Sequence, residues 1–207
     1  MQPERWRQAW RDGRTGFHRE AVHPDLLAQA EWFVAGGRRV LVPLCGMTVD
    51  LQHLAGHGLE VVGVELSGLA IGRLFEREGW PPAVDVHGPF RRHRAGRVTV
   101  LEGDIFDLDP TLVGTFDRVW DRAALVALPP EMRARYVPQI RRLAAPGARL
   151  LQNAFTYAPG LREGPPFSVP ADEVGRLYSG AAIERARHEP LEVAGGEFMV
   201  STYRITL

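Results

Sequence analysis

The chain contains no lysine. All 25 of its Lys+Arg residues are arginine, set against 25 Asp+Glu in 207 residues. Without lysine there is no Schiff-base or pyridoxal-phosphate anchor, no phosphate-loop lysine and no kinase-type lysine. Cysteine is nearly as scarce: the single Cys45 excludes disulfide frameworks and zinc sites built on paired cysteines, and suits a reducing setting. No run of about 18 apolar residues occurs. The start, Met1-Gln2-Pro3-Glu4-Arg5-Trp6, is polar where a secretion signal is apolar, so a soluble cytoplasmic protein is expected. The formal net charge of zero offers no global field to nucleic acid or anionic lipid, which leaves a small-molecule partner. A chain of this length, with 45% hydrophobic residues, can bury roughly 70% of its unfolded surface in one core. One domain over 1–207 is expected.

What is present is a strand–helix alternation from residue 39 onward. Residues 39–44 form a short β-branched run of the kind found in buried parallel strands. Thr48 is placed to cap a helix carrying Leu51, Leu54 and Ala55 until Gly56 and Gly58 close it. Residues 61–65 repeat the strand, and Ser67 caps a second helix on which Ala70/Leu74 and Ile71/Phe75 pair at i, i+4. Residues 80–97, with Pro81, Pro82, Gly88 and Pro89 around Arg91-Arg92-His93-Arg94, interrupt the rhythm as a loop or hairpin with a solvated basic cluster. Residues 98–101 and 116–121 supply a third and a fourth strand, and 149–155 a fifth. Between the last two, Pro130 opens a helix with Met132, Tyr136, Ile140 and Leu143 on one face and a kink expected at Pro138. A short helix around 172–178 and a closing strand at 198–207 follow. Such βα repetition implies a doubly wound, Rossmann-like α/β sheet over 36–207. Residues 1–35, with Trp6 and Trp10 at i, i+4 and then Gly16-Phe17-His18, read as a helical cover.

Open sheets of this kind bind ligands at the carboxyl ends of their strands. The first strand ends in Leu44-Cys45-Gly46-Met47-Thr48, with one glycine where a dinucleotide fingerprint has three, which disfavours NAD and an oxidoreductase. Glu65, about 20 residues beyond that turn, is placed to accept both ribose hydroxyls of an adenosine. Adenosine without pyrophosphate points to S-adenosylmethionine. Gly103-Asp104-Ile105-Phe106 sets a short carboxylate and an apolar neighbour where an adenine edge and face can be held, and Asp121-Arg122 ends the strand that faces the reacting atoms.

In these blocks the sequence resembles the thiopurine S-methyltransferases, bacterial type, within the class I S-adenosylmethionine-dependent methyltransferases. The resemblance rests on Trp6-x-x-x-Trp10, Gly16-Phe17-His18, the residues from Val40 to Gly46, Val62-Gly63-Val64-Glu65-Leu66-Ser67, the residues from Gly103 to Leu108, those from Asp121 to Pro129, and Gly164-Pro165-Pro166-Phe167. It implies a mostly parallel seven-stranded sheet with helices on both faces and transfer of the sulfonium methyl to an aromatic or heterocyclic thiol. Selenium and tellurium compounds are implied as further acceptors. It also implies that Trp10, Leu44, Glu65 and Arg122, with Trp6, Gly46 and Leu66 beside them, contact the cofactor. Asp104 and Ile105 flank the adenine, and Phe17, His18 and Arg122 face the acceptor. Because the sulfonium methyl is already activated, alignment and a self-ionising thiol suffice without a dedicated base. Two departures bear on the acceptor: Met47 stands where many relatives have lysine, and Tyr157-Ala158 where they have Tyr-Asp.

Plainer readings stand beside these. Trp6 and Trp10 also suit core anchors, Cys45 a small packing residue, and Arg122 an ion pair with Asp121 or Asp104. His18 is a candidate base for the acceptor or a simple hydrogen-bonding histidine. Asp50, His53 and His57 share a helix face with metal-like spacing, but a polar face explains them and no metal is expected. The competing functions are methylation of a nitrogen or oxygen on a specialised heterocycle and a non-enzymatic nucleotide-binding module. A monomer is expected.

Overall fold

The computed structural model describes residues 3–193 and 196–207, so Met1 and Gln2 of the expected cover lie outside the described residues. Five parallel strands form the centre, ordered β5 (Val98–Glu102), β2 (Glu60–Glu65), β1 (Arg39–Pro43), β6 (Phe116–Asp121) and β7 (Ala144–Thr156). The chain winds outward from β1 through β2 to β5, then returns to β6 on the other side of β1. The carboxyl ends of β1 and β6 therefore flank the point where strand order reverses.

The expectation of seven, mostly parallel strands is corrected. The described residues form nine strands, and half of the pairings are antiparallel. A hairpin of β3 (Ala83–His87) and β4 (Phe90–Ala95) extends the sheet beyond β5, and β9 (Gly196–Thr206) and β8 (Ala182–Val193) extend it beyond β7. The basic cluster thus lies on a strand. Arg92 and Arg94 pair with Asp85, while His93 is buried, stacks on Phe75 and meets Glu102 at 3.0 Å. β8 has no apolar alternation to reveal it. It is an edge strand, which also explains how it accommodates Pro190.

Each face of the central sheet buries its own core. Along β1, Val40 and Val42 point to one side, with Leu51, Leu54, Ile71 and Leu74, while Leu41 points to the other, with Tyr136, Ile140 and Leu143. Helix α4 (Asp50–Gly56) begins one residue later than a Thr48 cap requires: Val49 takes the cap position, and the Thr48 hydroxyl accepts from Asp50 N at 3.3 Å. Ser67 caps α5 (Gly68–Arg77) as expected through Ala70 N, and Ala70, Ile71, Leu74 and Phe75 are buried. Helix α7 (Pro130–Leu143) runs on through Pro138, and α8 is Ala171–Leu177. Three short helices escaped the pattern, α2 (Pro24–Ala28), α3 (Ala30–Val34) and α6 (Pro110–Val113). Arg118 clamps the end of α3 by donating to the carbonyls of Phe33 and Ala35. A guanidinium presents five donors in a rigid planar fork, which suits two carbonyls set side by side.

Asp121, at the end of β6, turns away from Arg122 into the core beneath α7. Its Oδ2 accepts from the Tyr136 hydroxyl at 2.7 Å and its Oδ1 from Leu125 N at 3.1 Å. Burial nevertheless pushes the carboxyl up to about 6 from its ordinary value. The folded state therefore retains a proton that the unfolded chain releases. This group's contribution is fully present below about pH 4 and is lost as pH rises through about 6, a change on the order of 3 kcal/mol. Asp121→Asn is expected to remove that change. In urea titrations, the stability of the wild type relative to the variant should fall across pH 4–6; a constant difference would show that Asp121 does not titrate with folding.

Candidate active site

Four strand ends and the N-terminal segment enclose a cleft. After β1 the chain turns sharply through Leu44 (φ +49°) and Gly46 (φ +55°), and after β6 through Ala123 (φ +63°). Left-handed backbone at two non-glycine residues is strained, and both occurrences border the cleft. Gly46 is required twice over: its φ suits glycine, and a Cβ there would lie 3.1 Å from Trp10 Cζ2. Gly46→Ala is expected to cost about 1–2 kcal/mol and lower Tm by about 2–8 °C in a calorimetric scan; an unchanged Tm would mean that the turn tolerates a side chain.

Helix α1 (Pro3–Arg11) lies across the opening, fixed by Arg7 Nε donating to Leu66 O at 3.3 Å. Trp10 is buried, and Phe17 packs edge-on against both Trp6 and Trp10 with centroids 5.4 Å apart. The tryptophans thus anchor the segment and also wall the cleft. The cleft offers about 750 Å³ of empty space, open solvent at its mouth included, and an adjoining lobe with about 430 Å³ on the same measure shares Trp6, Leu44, Glu65 and Leu66 with it.

Glu65 stands at the seam between the lobes. Its Oε2 accepts from Gly46 N and its Oε1 from Ser67 N, each at 2.8 Å. Burial pushes the carboxyl up, while the N–H groups of Ser67, Gly46 and Leu66 hold it back. Each oxygen keeps acceptor capacity beyond the backbone bond it makes. The smaller lobe is lined by Asp104, Ile105 and Phe106. Asp104 uses Oδ1 to accept from Phe106 N at 3.1 Å, and Ile105 is buried.

Arg122 lines the larger lobe and, contrary to the plainer expectation, forms no ion pair with Asp121 or Asp104, which leaves its charge at the cleft. Its Nη2 donates to Phe17 O at 2.7 Å, tying the covering loop to β6. Burial lowers its pKa and the charge of Asp50 opposes that, yet a guanidinium starts so high that it remains charged. A half-buried guanidinium whose one hydrogen bond among the described residues goes to a carbonyl suits an anionic guest.

All nine residues assigned from sequence to the cofactor and all three assigned to the acceptor line these two lobes; Arg122 belongs to both sets. The sequence reading missed Trp120 and the structural importance of Asp50. Buried Asp50 accepts from His23 N at 2.9 Å and from Trp120 Nε1 at 2.8 Å, joining the covering segment to the floor. The signal was available in the position of Asp50 just after the β1 turn, but helical spacing directed attention to His53 and His57. Those rings pack edge-on at 4.7 Å, and among the described residues no group of three or more His, Cys, Asp or Glu is placed to hold a metal. Cys45 is buried, and its burial pushes the thiol well up. Its Sγ would lie 2.7 Å from a Cβ at Gly63, so it packs against bare backbone. At position 47 the charge comes from α5: Arg77 donates to Met47 O at 2.8 Å.

Comparison with known proteins agrees with this geometry. The family model described as Thiopurine S-methyltransferase (TPMT) matches residues 1–199. A thiopurine S-methyltransferase of Xanthobacter autotrophicus is 42% identical over 198 residues, covering 95% of this chain and 92% of its own. One of Bordetella petrii is 44% identical over 183 residues, covering 87% and 83%. In three dimensions the chain superposes on the Burkholderia thailandensis 1,6-didemethyltoxoflavin-N1-methyltransferase, solved with its substrate and S-adenosylhomocysteine, with a TM-score of 0.68 at 20% identity over 99% of this chain and 87% of that one. The class I methyltransferase architecture is therefore carried by fold, and matches over nearly the full length show that this chain belongs to the thiopurine S-methyltransferase family.

Proposed function

We propose that the chain is a cytoplasmic, monomeric methyltransferase that uses S-adenosylmethionine to methylate the sulfur of a small aromatic or heterocyclic thiol, with selenium and tellurium compounds as further acceptors. The whole chain acts as one domain, with residues 1–35 as its cover. Among the described residues no helix is long and apolar enough to cross a membrane.

The observation that carries the reading is Glu65, a buried carboxylate fixed by two backbone N–H groups between two connected lobes. It fits an adenosine ribose, while Asp104 and Ile105 offer a polar edge and an apolar face for adenine. Leu44, Gly46, Leu66 and Trp10 wall the path between the lobes. The unpaired charge of Arg122 suits a carboxylate or thiolate. When bound, S-adenosylmethionine supplies a methyl group activated by its sulfonium. The protein's own contribution is to align the acceptor within about 3–3.5 Å of that methyl and to keep water out. Trp6, Trp10 and Phe17 form the water-excluding wall, and charge neutralisation between thiolate and sulfonium is favoured in the dry space behind it.

A methyl-transfer screen over thiopurines, thiophenols, hydrogen sulfide, selenite, tellurite and heterocyclic amines tests the acceptor class. Turnover is expected with the aromatic and heterocyclic thiols; methylation confined to the amines would overturn the sulfur assignment.

A further inference from the structure

We propose that Asp121 is a positioning residue for methyl transfer, its buried carboxyl closing the turn after β6 and so fixing where Arg122 stands in the cleft; this rests on the thiol-methylating function proposed above. The turn needs holding. Only three residues separate Asp121 from a 3-10 turn at Leu125–Ala127, and the middle one, Ala123, takes φ +63° without being glycine. Left-handed backbone is uphill for a residue with a Cβ, so Ala123 relaxes toward negative φ unless a contact spans the turn. The residues at stake belong to the site, since Arg122, Ala123 and Ala127 all line the larger lobe.

The Asp121 carboxyl is that contact. Its Oδ1 accepts from Leu125 N at 3.1 Å, at the start of the 3-10 turn, where the capping residue Ala124 has no side chain to offer. Its Oδ2 accepts from the Tyr136 hydroxyl of α7 at 2.7 Å, which keeps the carboxyl aimed at the turn. Directly across on β7, Gln152 Nε2 donates to Asp121 O at 3.4 Å, and the Tyr178 hydroxyl donates to Gln152 Oε1 at 3.1 Å. Asp121, Tyr136, Gln152 and Tyr178 are all fully buried, so they act on a guest only through the turn above them. Stability does not account for the carboxyl, because burial pushes its pKa up and the ionised form is a cost to the fold. What the charge supplies is a strong acceptor for the backbone of a strained turn.

Beyond that turn, Arg122 Nη2 reaches Phe17 O at 2.7 Å, holding the guanidinium against the acceptor wall. Without the carboxyl, Leu125 N loses its acceptor, Ala123 leaves the left-handed region, and Arg122 moves off Phe17 O and carries its charge with it. The acceptor then meets a misplaced cation, while Glu65 on β2 keeps both of its backbone bonds.

The test is a double-mutant cycle on kcat/KM for thiophenol at saturating S-adenosylmethionine. Asp121→Ala is expected to lower kcat/KM by about thirtyfold in otherwise wild-type protein, and by less than about threefold where Arg122 is already replaced by methionine and no guanidinium remains to be misplaced. Adding Ala123→Gly to Asp121→Ala should recover about tenfold, because glycine takes the left-handed conformation freely. Asp121→Asn, which keeps an oxygen for Leu125 N, should likewise recover most of the loss. Where Asp121→Ala does not fold, Tyr136→Phe takes its place, with about a fivefold loss that vanishes in the Arg122→Met background. Equal losses in both backgrounds, no loss at all, or no recovery with Ala123→Gly would overturn the role and leave the methyl-transfer reading standing. Wild-type protein that binds S-adenosylhomocysteine but methylates no thiol would overturn that reading, and this role with it.

Discussion

Glu65→Ala is expected to weaken S-adenosylhomocysteine binding by about a thousandfold, from the loss of two charge-assisted hydrogen bonds worth about 1.5–3 kcal/mol each. The carboxylate is fixed before any ligand arrives, because Gly46 N and Ser67 N hold one oxygen each. Little ordering is therefore left to be done on binding. The substitution also leaves two buried N–H groups without acceptors, so a lower Tm should accompany the lost affinity. Isothermal calorimetry separates the two effects. Affinity within about threefold of wild type, whatever the Tm, would show that Glu65 supports the turn without touching the ligand.

Arg122→Met should lower kcat/KM for a thiol acceptor by about a thousandfold, the scale seen when a charge-stabilising donor is removed from a dry active site. Methionine keeps the apolar stem but loses both the charge and the Nη2 bond to Phe17 O, so the acceptor wall loosens as its electrostatics change. Arg122→Lys should recover little, because an ammonium cannot reproduce the guanidinium fork. The wild-type contribution should not change with pH in any accessible range. Steady-state kinetics at matched cofactor saturation decide the matter: rates within about threefold of wild type for the methionine variant would remove Arg122 from the reaction.

The parts of the molecule legible in the sequence were those governed by local periodicity. The five central strands, the Ser67 cap and the apolar face of α7 were legible because buried parallel strands and amphipathic helices impose their patterns on the residues themselves. The strand-end residues Glu65, Asp104 and Arg122 followed once strand order was assumed. What stayed hidden depends on long-range partners. β8, largely exposed, exists because β9 pairs with it, whereas the hairpin of β3 and β4 was one of the two readings of residues 80–97. Asp50 likewise carries no local mark of its role, since its two donors come from His23 and Trp120, 27 and 70 residues away. The absence of lysine was visible at once, but its consequence at Met47 was not, since Arg77 reaches that turn from another helix.

Calorimetric titration of the full chain with S-adenosylhomocysteine, set against NAD under the same conditions, tests the central claim most directly. The cleft geometry predicts one saturable site for S-adenosylhomocysteine, abolished or severely weakened by Glu65→Ala, and no binding of NAD, whose pyrophosphate finds only Gly46 at the β1 turn. Binding of NAD, or no heat of binding with S-adenosylhomocysteine, would contradict it.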